Sequence, residues 1–270
     1  MKSHQNINKK YQSKFLEQRE IDLILCHVLN VNTAGLFIYD KDITPDQHEQ
    51  IINICKQREE GIPFAYITGQ KAFWKLDLKV NKHTLIPRPE TELLVEMVLS
   101  KTDKMFSGNI LDLGTGTGAI ALSIAQERPH ANITAIDFSS ECIKVAEFNK
   151  TQNKVANVNF IQSHWFEKIG PNTFDIIVSN PPYIDENDSH LKSLKHEPIS
   201  ALTAKNKGYA DLFHIIENAK YFMNNGGTLM LEHGYDQSQT IQQYLHENCY
   251  KNVKSENDLA GIPRITMAEF

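Results

Sequence analysis

Hydrophobic positions change their period twice along this chain. Up to about residue 70, Phe15, Leu16, Ile21, Leu23, Ile24, Val28 and Leu29 recur at helical spacing with polar residues between them. Asp42-Ile43-Thr44-Pro45-Asp46 predicts a helix start, with Thr44 as N-cap and Pro45 at the first helical position. The helix that follows should turn Ile51, Ile52 and Ile54 inward and end before Gly61-Ile62-Pro63. From Phe73 to Val80 apolar and polar residues alternate, as in a strand. Leu85-Ile86-Pro87-Arg88-Pro89 is too proline-bound for a helix. These two stretches predict a hairpin and an extended linker. A helix then begins near Glu90 and carries Leu93, Leu94, Met97 and Val98.

A third rhythm starts near residue 108. Short apolar runs at Asn109–Leu113, Ile133–Asp137, Val158–Gln162, Phe174–Ser179, Thr228–Glu232 and Arg264–Ala268 read as strands, with helices between the early ones. The helix from Asp211 places Leu212, Ile215, Ile216, Ala219 and Phe222 on one stripe, and Gly226-Gly227 reads as the turn into the fifth strand. Strand–helix alternation of this kind predicts an α/β fold with a doubly wound, mostly parallel sheet. The expected organisation is a helical domain over 1–72, a hairpin and extended linker over 73–89, and an α/β domain over 90–270. Such sheets bind ligands beyond the carboxyl ends of their strands.

Composition narrows the picture only a little. The chain has 270 residues, 41% of them hydrophobic, enough for a sizeable core. The formal net charge of −5 speaks against naked nucleic acid as the main partner, because such binders usually show a basic face. Lys2, Lys9, Lys10 and Lys14 make a mildly basic start, read as solvated surface. Cys26, Cys55, Cys142 and Cys249 lie far apart and form no C-x-x-C pair, which suggests neither zinc nor a disulfide framework. His130 and His233 have no partner at ligand spacing, so no metal is expected. The polar opening residues lack a signal-peptide core, and no apolar run of membrane-spanning length occurs. A cytoplasmic protein without membrane contact is the simplest expectation.

Two motifs carry chemistry. The first strand of the sheet runs into Asp112-Leu113-Gly114-Thr115-Gly116-Thr117-Gly118. Its glycines let the backbone pass close to a cofactor at positive φ. The G-x-G-x-G form, with an acid just before it, suits a cofactor without phosphates rather than a dinucleotide. Such a carboxylate can meet the amino group of a methionine moiety. Asp137 ends the next strand, where an acid typically accepts hydrogen bonds from ribose hydroxyls; capping the next helix is the plainer role. Trp165 follows the third strand and can either flank an adenine or plug the core. The second motif, Asn180-Pro181-Pro182-Tyr183, ends the strand Phe174–Ser179. An amide or exocyclic amine nitrogen is a poor nucleophile because its lone pair is delocalised. The Asn180 side-chain carbonyl and the Pro181 backbone carbonyl can hold both N–H groups, which favours a pyramidal nitrogen aimed at a methyl donor. The prolines stiffen the turn, and Tyr183 can stack on the flat group or sit over developing positive charge. Together these elements point to S-adenosylmethionine as cofactor, S-adenosylhomocysteine as product, and a methyl transfer governed by positioning and electrostatics.

The sheet-bearing half resembles the Rossmann-like S-adenosylmethionine-dependent methyltransferases. Leu85-Ile86-Pro87-Arg88-Pro89-Glu90-Thr91-Glu92 and Gly61–Gly69, with Ser179–Ile184, narrow the resemblance to the PrmC/HemK family. It extends to Glu197-Pro198, Leu231-Glu232-His233-Gly234 and Asp258–Arg264. That family methylates N5 of the glutamine in the Gly-Gly-Gln tripeptide of class I peptide-chain release factors. The resemblance implies that Gly114, Thr115, Gly116, Thr117, Gly118, Asp137, Trp165 and Asn180 contact the cofactor. It also implies that Asn180, Pro181, Pro182 and Tyr183 hold the substrate glutamine, with Asn180, Pro181 and Tyr183 catalytic. Release factors are then the expected partner, nucleic acid is not, and a monomer is expected. His164 departs from the family, where many relatives carry an acid able to reach the adenine amino group. Arg88 and Glu90 lie on the linker near the expected cleft mouth; an interdomain salt bridge is the other reading. Methylation of adenine or cytosine amines would use the same tetrapeptide but needs base flipping and a basic target-recognition region. A cofactor-binding module without activity would not need Asn180.

Overall fold

Thr44 begins a helix by a local device. Its hydroxyl accepts from the Gln47 N–H while the Gln47 side chain accepts from the Thr44 N–H, a reciprocal capping box, and Pro45 follows at the first helical position. The resulting helix α3 (Pro45–Glu59) packs against α1 (Gln18–Leu29); the short α2 (Thr33–Phe37) lies between them in sequence and α4 (Phe64–Thr68) follows. The structure is a computed structural model that describes Tyr11, residues 16–170 and residues 173–270. Phe15 and the basic residues Lys2, Lys9, Lys10 and Lys14 lie outside the described residues. Ile21, Ile24, Leu25, Leu36 and Ile51 form the centre of this small core. Two expected core positions face water instead: Leu23 and Ile52 are exposed, and Leu25 and Cys55 take the inward places. A helix stripe about 100° wide cannot hold every apolar residue of a dense run.

The chain divides into two compact units, Met1–Thr68 and Gly69–Phe270. The second opens with a hairpin, β1 (Gln70–Phe73) paired antiparallel with β2 (Leu76–Lys79). The alternation from Phe73 to Val80 is therefore not one strand. Its turn falls at Trp74-Lys75, with Trp74 at φ +55. Phe73, Leu76 and Leu78 are buried in the core of this same unit. A 3-10 turn (Pro89–Thr91) then leads into α5 (Glu92–Lys101).

Seven strands make the central sheet: β3 (Asn109–Leu113), β4 (Asn132–Asp137), β5 (Val158–Gln162), β6 (Phe174–Ser179), β9 (Met223–Glu232), β10 (Lys251–Asn257) and β11 (Pro263–Glu269). Their order is β10-β11-β9-β6-β3-β4-β5. Two short strands between β6 and β9, β7 (Ile184–Asp185) and β8 (Thr203–Ala204), pair with each other in parallel outside this sheet. The five strands from β9 to β5 run parallel; β11 joins β9 antiparallel and β10 joins β11 antiparallel. Side chains alternate across the sheet, so Ile110 and Ile176 face the layer of α5, α6 (Ala119–Glu127) and α7 (Ser140–Gln152), while Leu111 and Ile177 face α8 (Ala210–Ala219) and α9 (Ser238–Glu247). The glycines at 226 and 227 lie inside β9 rather than before it. Gly226, at φ +78, donates its N–H to the Phe270 carbonyl, and a register irregularity follows the start of β6. Strand β10 has no signal in the sequence pattern; Lys251-Asn252-Val253-Lys254-Ser255-Glu256-Asn257 shows no apolar alternation and lies at the sheet edge. The four cysteines are free thiols.

The order of strands reverses between β3 and β6. From β3 the chain proceeds outward through β4 to β5, then returns to place β6 on the other side of β3. The crevice beyond the carboxyl ends of these two strands is the switch point at which open α/β sheets bind ligands.

Candidate active site

Register places the two motifs side by side. Leu113 pairs with Ser179, and the Ser179 hydroxyl donates to the Leu113 carbonyl at 2.7 Å. Gly114 and Asn180 are therefore the first residues beyond two tied strand ends. Ile136 pairs with Leu113, which brings Asp137 to the same rim.

A cavity of about 440 Å³ opens there, with Gly114, Gly116, Asp137, Trp165, Asn180 and Pro182 among its walls. Gly114 and Gly116 stand at φ +74 and +55, and a Cβ on Gly114 would point towards the Trp165 ring 3.8 Å away. Thr115, Thr117 and Gly118 do not line it. Thr115 donates its N–H to the Ile136 carbonyl and its hydroxyl to Asp112 at 2.6 Å. The Thr117 carbonyl accepts from Asn149. A Cβ on Gly118 would sit 3.1 Å from both Leu122 and Phe160, so that glycine serves helix–sheet packing. Asp112 is likewise no cavity wall: it is fully buried beneath the loop it braces, and burial pushes its carboxyl up to about 7.

Asp137 holds the loop and keeps capacity to spare. One oxygen accepts from the Gly116 N–H and the other from the Ser139 N–H, both at 2.9 Å. A carboxylate has about four acceptor positions, so each oxygen can take another donor. Burial raises its pKa and those two backbone donors oppose the rise. Capping falls to Ser139, whose hydroxyl accepts from Cys142 N–H. Trp165 both lines the cavity and packs on the core, at φ +43. Its indole faces Asp211 of α8, whose carboxyl is raised by burial and held back by His164 and His214. His164 sits on the cavity wall with its ring largely exposed, 3.5 Å from Glu167. The Cys142 thiol also borders the cavity, but burial and Asp137 push it up to about 12, so it is inert.

A second cavity, of about 250 Å³, is lined by Arg88, Pro181, Tyr183, Ile184, Leu194 and Leu202, together with Leu85, Asn180 and Ala201. Leu85, Asn180 and Ala201 belong to both cavities. The two prolines divide between them: Pro181 faces the second cavity and Pro182 the first. The Asn180 Nδ2 donates to the Thr91 hydroxyl at 3.1 Å, and no described residue hydrogen-bonds to its Oδ1. The Tyr183 hydroxyl donates to Glu232 at 3.3 Å, and its carbonyl accepts from Gln237 at 3.1 Å. Burial, then Glu232, push the phenol well above its usual range, so it stays protonated. Gly208, at φ +86, lets the chain pass under Tyr183; a Cβ there would stand 2.1 Å from the Tyr183 carbonyl oxygen. Arg88 pairs with buried Glu197 at 2.5 Å, and Glu197 also accepts from the Ile86 N–H. Both partners belong to the unit Gly69–Phe270, so this ion pair is not interdomain. His233 is buried and bonded to the Gly234 carbonyl and the Thr266 hydroxyl. Among the described residues no cluster of His, Cys, Asp and Glu has metal-binding geometry, and no helix is long and apolar enough to cross a membrane.

Residues 89–206 match the methyltransferase small domain family, and residues 12–69 match the PrmC N-terminal domain family. A release factor glutamine methyltransferase of Aliivibrio fischeri is 42% identical over 98% of this chain and 96% of its own. One from Coxiella burnetii is 44% identical over 92% of this chain and 90% of its own. The chain belongs to the release factor glutamine methyltransferase family. Among solved structures, a methyltransferase from Pyrococcus furiosus superposes with a TM-score of 0.56 at 20% identity, covering 80% of this chain and 98% of that one. That likeness shows the methyltransferase fold.

Within this family frame, four residues around the second cavity had no local signal in sequence: Thr91, Glu197, Gly208 and Glu232. Thr91, Glu197 and Glu232 lie in blocks of family resemblance, but their partners are more than 45 positions away. Only the fold brings them to Asn180, Arg88 and Tyr183.

Proposed function

We propose that this protein transfers a methyl group from S-adenosylmethionine to N5 of the glutamine in the Gly-Gly-Gln motif of class I peptide-chain release factors. The observation that carries the reading is Asn180, a wall shared by two cavities at the switch point. Transfer needs donor and acceptor to meet, and of the three residues that line both spaces Asn180 alone has a polar side chain.

The first cavity fits the donor by its own chemistry. Gly114 and Gly116 leave room for close approach, Asp137 offers free acceptor positions to ribose hydroxyls, and Trp165 offers a flat face to adenine. S-adenosylmethionine bound there supplies an electrophilic methyl on a sulfonium. The second cavity suits an uncharged side chain. Its walls are mostly apolar, and its cation, Arg88, is already paired with Glu197, so a carboxylate there would lose its hydration without a free partner. The Asn180 Oδ1 and the Pro181 carbonyl accept from the two amide hydrogens and direct the nitrogen lone pair along the line of transfer. Tyr183, held protonated, is not the base. None is needed before transfer, because the nitrogen becomes acidic only once methylated. The helical region, expected over 1–72, is assigned to docking the release factor.

Mass spectrometry after incubation with S-adenosylmethionine and an unmethylated release factor tests this, with unmethylated DNA in parallel. One added methyl on the Gly-Gly-Gln glutamine is expected. Methylated adenine with an untouched release factor would mean that the second cavity serves bases.

A further inference from the structure

An asparagine side chain is nearly symmetric in shape and opposite in chemistry at its two ends. Turned over, Asn180 would aim a donor at the N–H groups of its substrate instead of an acceptor. Something must decide the orientation. Its contact, the Thr91 hydroxyl, can donate or accept and so decides nothing by itself.

Glu232 can decide. It ends β9, and Leu231 pairs with Ser179, so Glu232 lies beside Asn180 on the neighbouring strand. Glu232 is 2% exposed and accepts from the Tyr183 hydroxyl at 3.3 Å, and the Thr91 hydroxyl steadies its charged form. Its second oxygen is buried and carries no hydrogen bond within the structure's geometry. An ionised carboxylate is acceptor-only. Because Thr91 accepts from the Asn180 Nδ2, its own proton is free to turn towards that unpartnered oxygen, and a Thr91 so turned keeps its lone pairs for Asn180. The Asn180 Oδ1 is then left for the substrate.

We propose that Thr91 and Glu232 are positioning residues: a one-way hydrogen-bond relay, Asn180 to Thr91 to Glu232, that fixes the amide orientation of Asn180, with Glu232 also orienting Tyr183. The relay rests on the glutamine-methylating reading of Asn180. Burial pushes the Glu232 carboxyl up to about 7; Thr91, Tyr183 and Arg264 oppose that rise and Glu90 adds to it. Protonation gives Glu232 a hydrogen to donate, and the relay loses its direction.

Single-turnover methyl transfer to a release factor, with S-adenosylmethionine affinity measured separately, tests the relay. Thr91→Val keeps the shape and removes the hydroxyl. It should slow transfer roughly 10- to 100-fold, the kinetic equivalent of a misdirected hydrogen bond, with cofactor affinity unchanged. Thr91→Ser should restore the rate to within a few-fold. In the Asn180→Ala background Thr91→Val should cause no further loss, because the group it orients is gone. A Thr91→Val enzyme as fast as wild type overturns the relay, and so does an undiminished effect in the Asn180→Ala background. If Thr91→Val also lowers the melting temperature and cofactor affinity, Glu232→Gln decides. Wild type should lose rate as pH falls through about 7. The glutamine variant should be slower and flat across that range, and a variant that keeps the wild-type profile overturns the relay. A wild-type enzyme that leaves the glutamine unmodified overturns the functional reading itself.

Discussion

The two cavities that meet at Asn180 are built by different means. The first is made by regular structure: Gly114, Asp137 and Asn180 each stand at or just past the carboxyl end of a parallel strand, and backbone hydrogen bonds set their positions. The second is made by irregular segments, around Leu85 to Arg88, Pro181 to Ile184 and Leu194 to Leu202, held by Glu197 and Gly208. Regular structure can serve any enzyme that uses the same donor, whereas the loops adapt to one acceptor. Lesions in the first should therefore read out as cofactor affinity, and lesions in the second as acceptor recognition.

The largest effect is expected where the distinction disappears. Asn180→Ala should lower the single-turnover rate by about 10²–10³, as removal of one preorganised polar contact does elsewhere, while cofactor affinity is largely kept. An unchanged rate would break the comparison at its centre. Next comes Gly208→Ala, which places a methyl in contact with the Tyr183 carbonyl at a strained φ. It should cost at least about 2 kcal/mol of stability and slow transfer about tenfold or more, with S-adenosylmethionine binding little changed in the folded fraction. A reciprocal pair sharpens the contrast. Asp137→Ala should weaken cofactor binding about 10- to 100-fold in a calorimetric titration with the acceptor KM unmoved, and Glu197→Gln should raise the acceptor KM by several-fold with cofactor affinity unmoved. Crossed results would show that the cavities do not act separately. The smallest effect is electrostatic. The Asp112 carboxyl rises from 3.8 to about 7 on folding, so its contribution is fully present below pH 3.8 and is lost as pH rises through about 7. Melting temperatures should fall between about pH 4 and 7, and Asp112→Asn should shrink that fall.

Much of this site is legible in the chain because its signals are local. The glycine loop, Asp137 and Asn180-Pro181-Pro182-Tyr183 each follow an apolar run, and parallel strands carry their ends to one rim. What the loop residues do individually is less legible. Gly114 and Thr115 are neighbours, yet only the first faces the cavity, because Thr115 is turned down to Asp112. The second cavity is least legible, since Arg88 with Glu197 and Tyr183 with Glu232 are long-range pairs. In the helical unit, periodicity finds the elements but not the outward turn of Leu23 and Ile52.

Strand β10 shows no apolar alternation because it buries almost nothing, and that same property has a use. An outermost strand offers unpaired backbone groups to any passing sheet, including a second copy of the same chain. Lys251 and Lys254 stand on it, Asn252 sits at φ +51, and its pairing with β11 is interrupted twice. Charge, twist and broken register all discourage self-association along that border. The stretch of sequence that looks least like a strand thus works against edge-to-edge stacking on this side of the sheet.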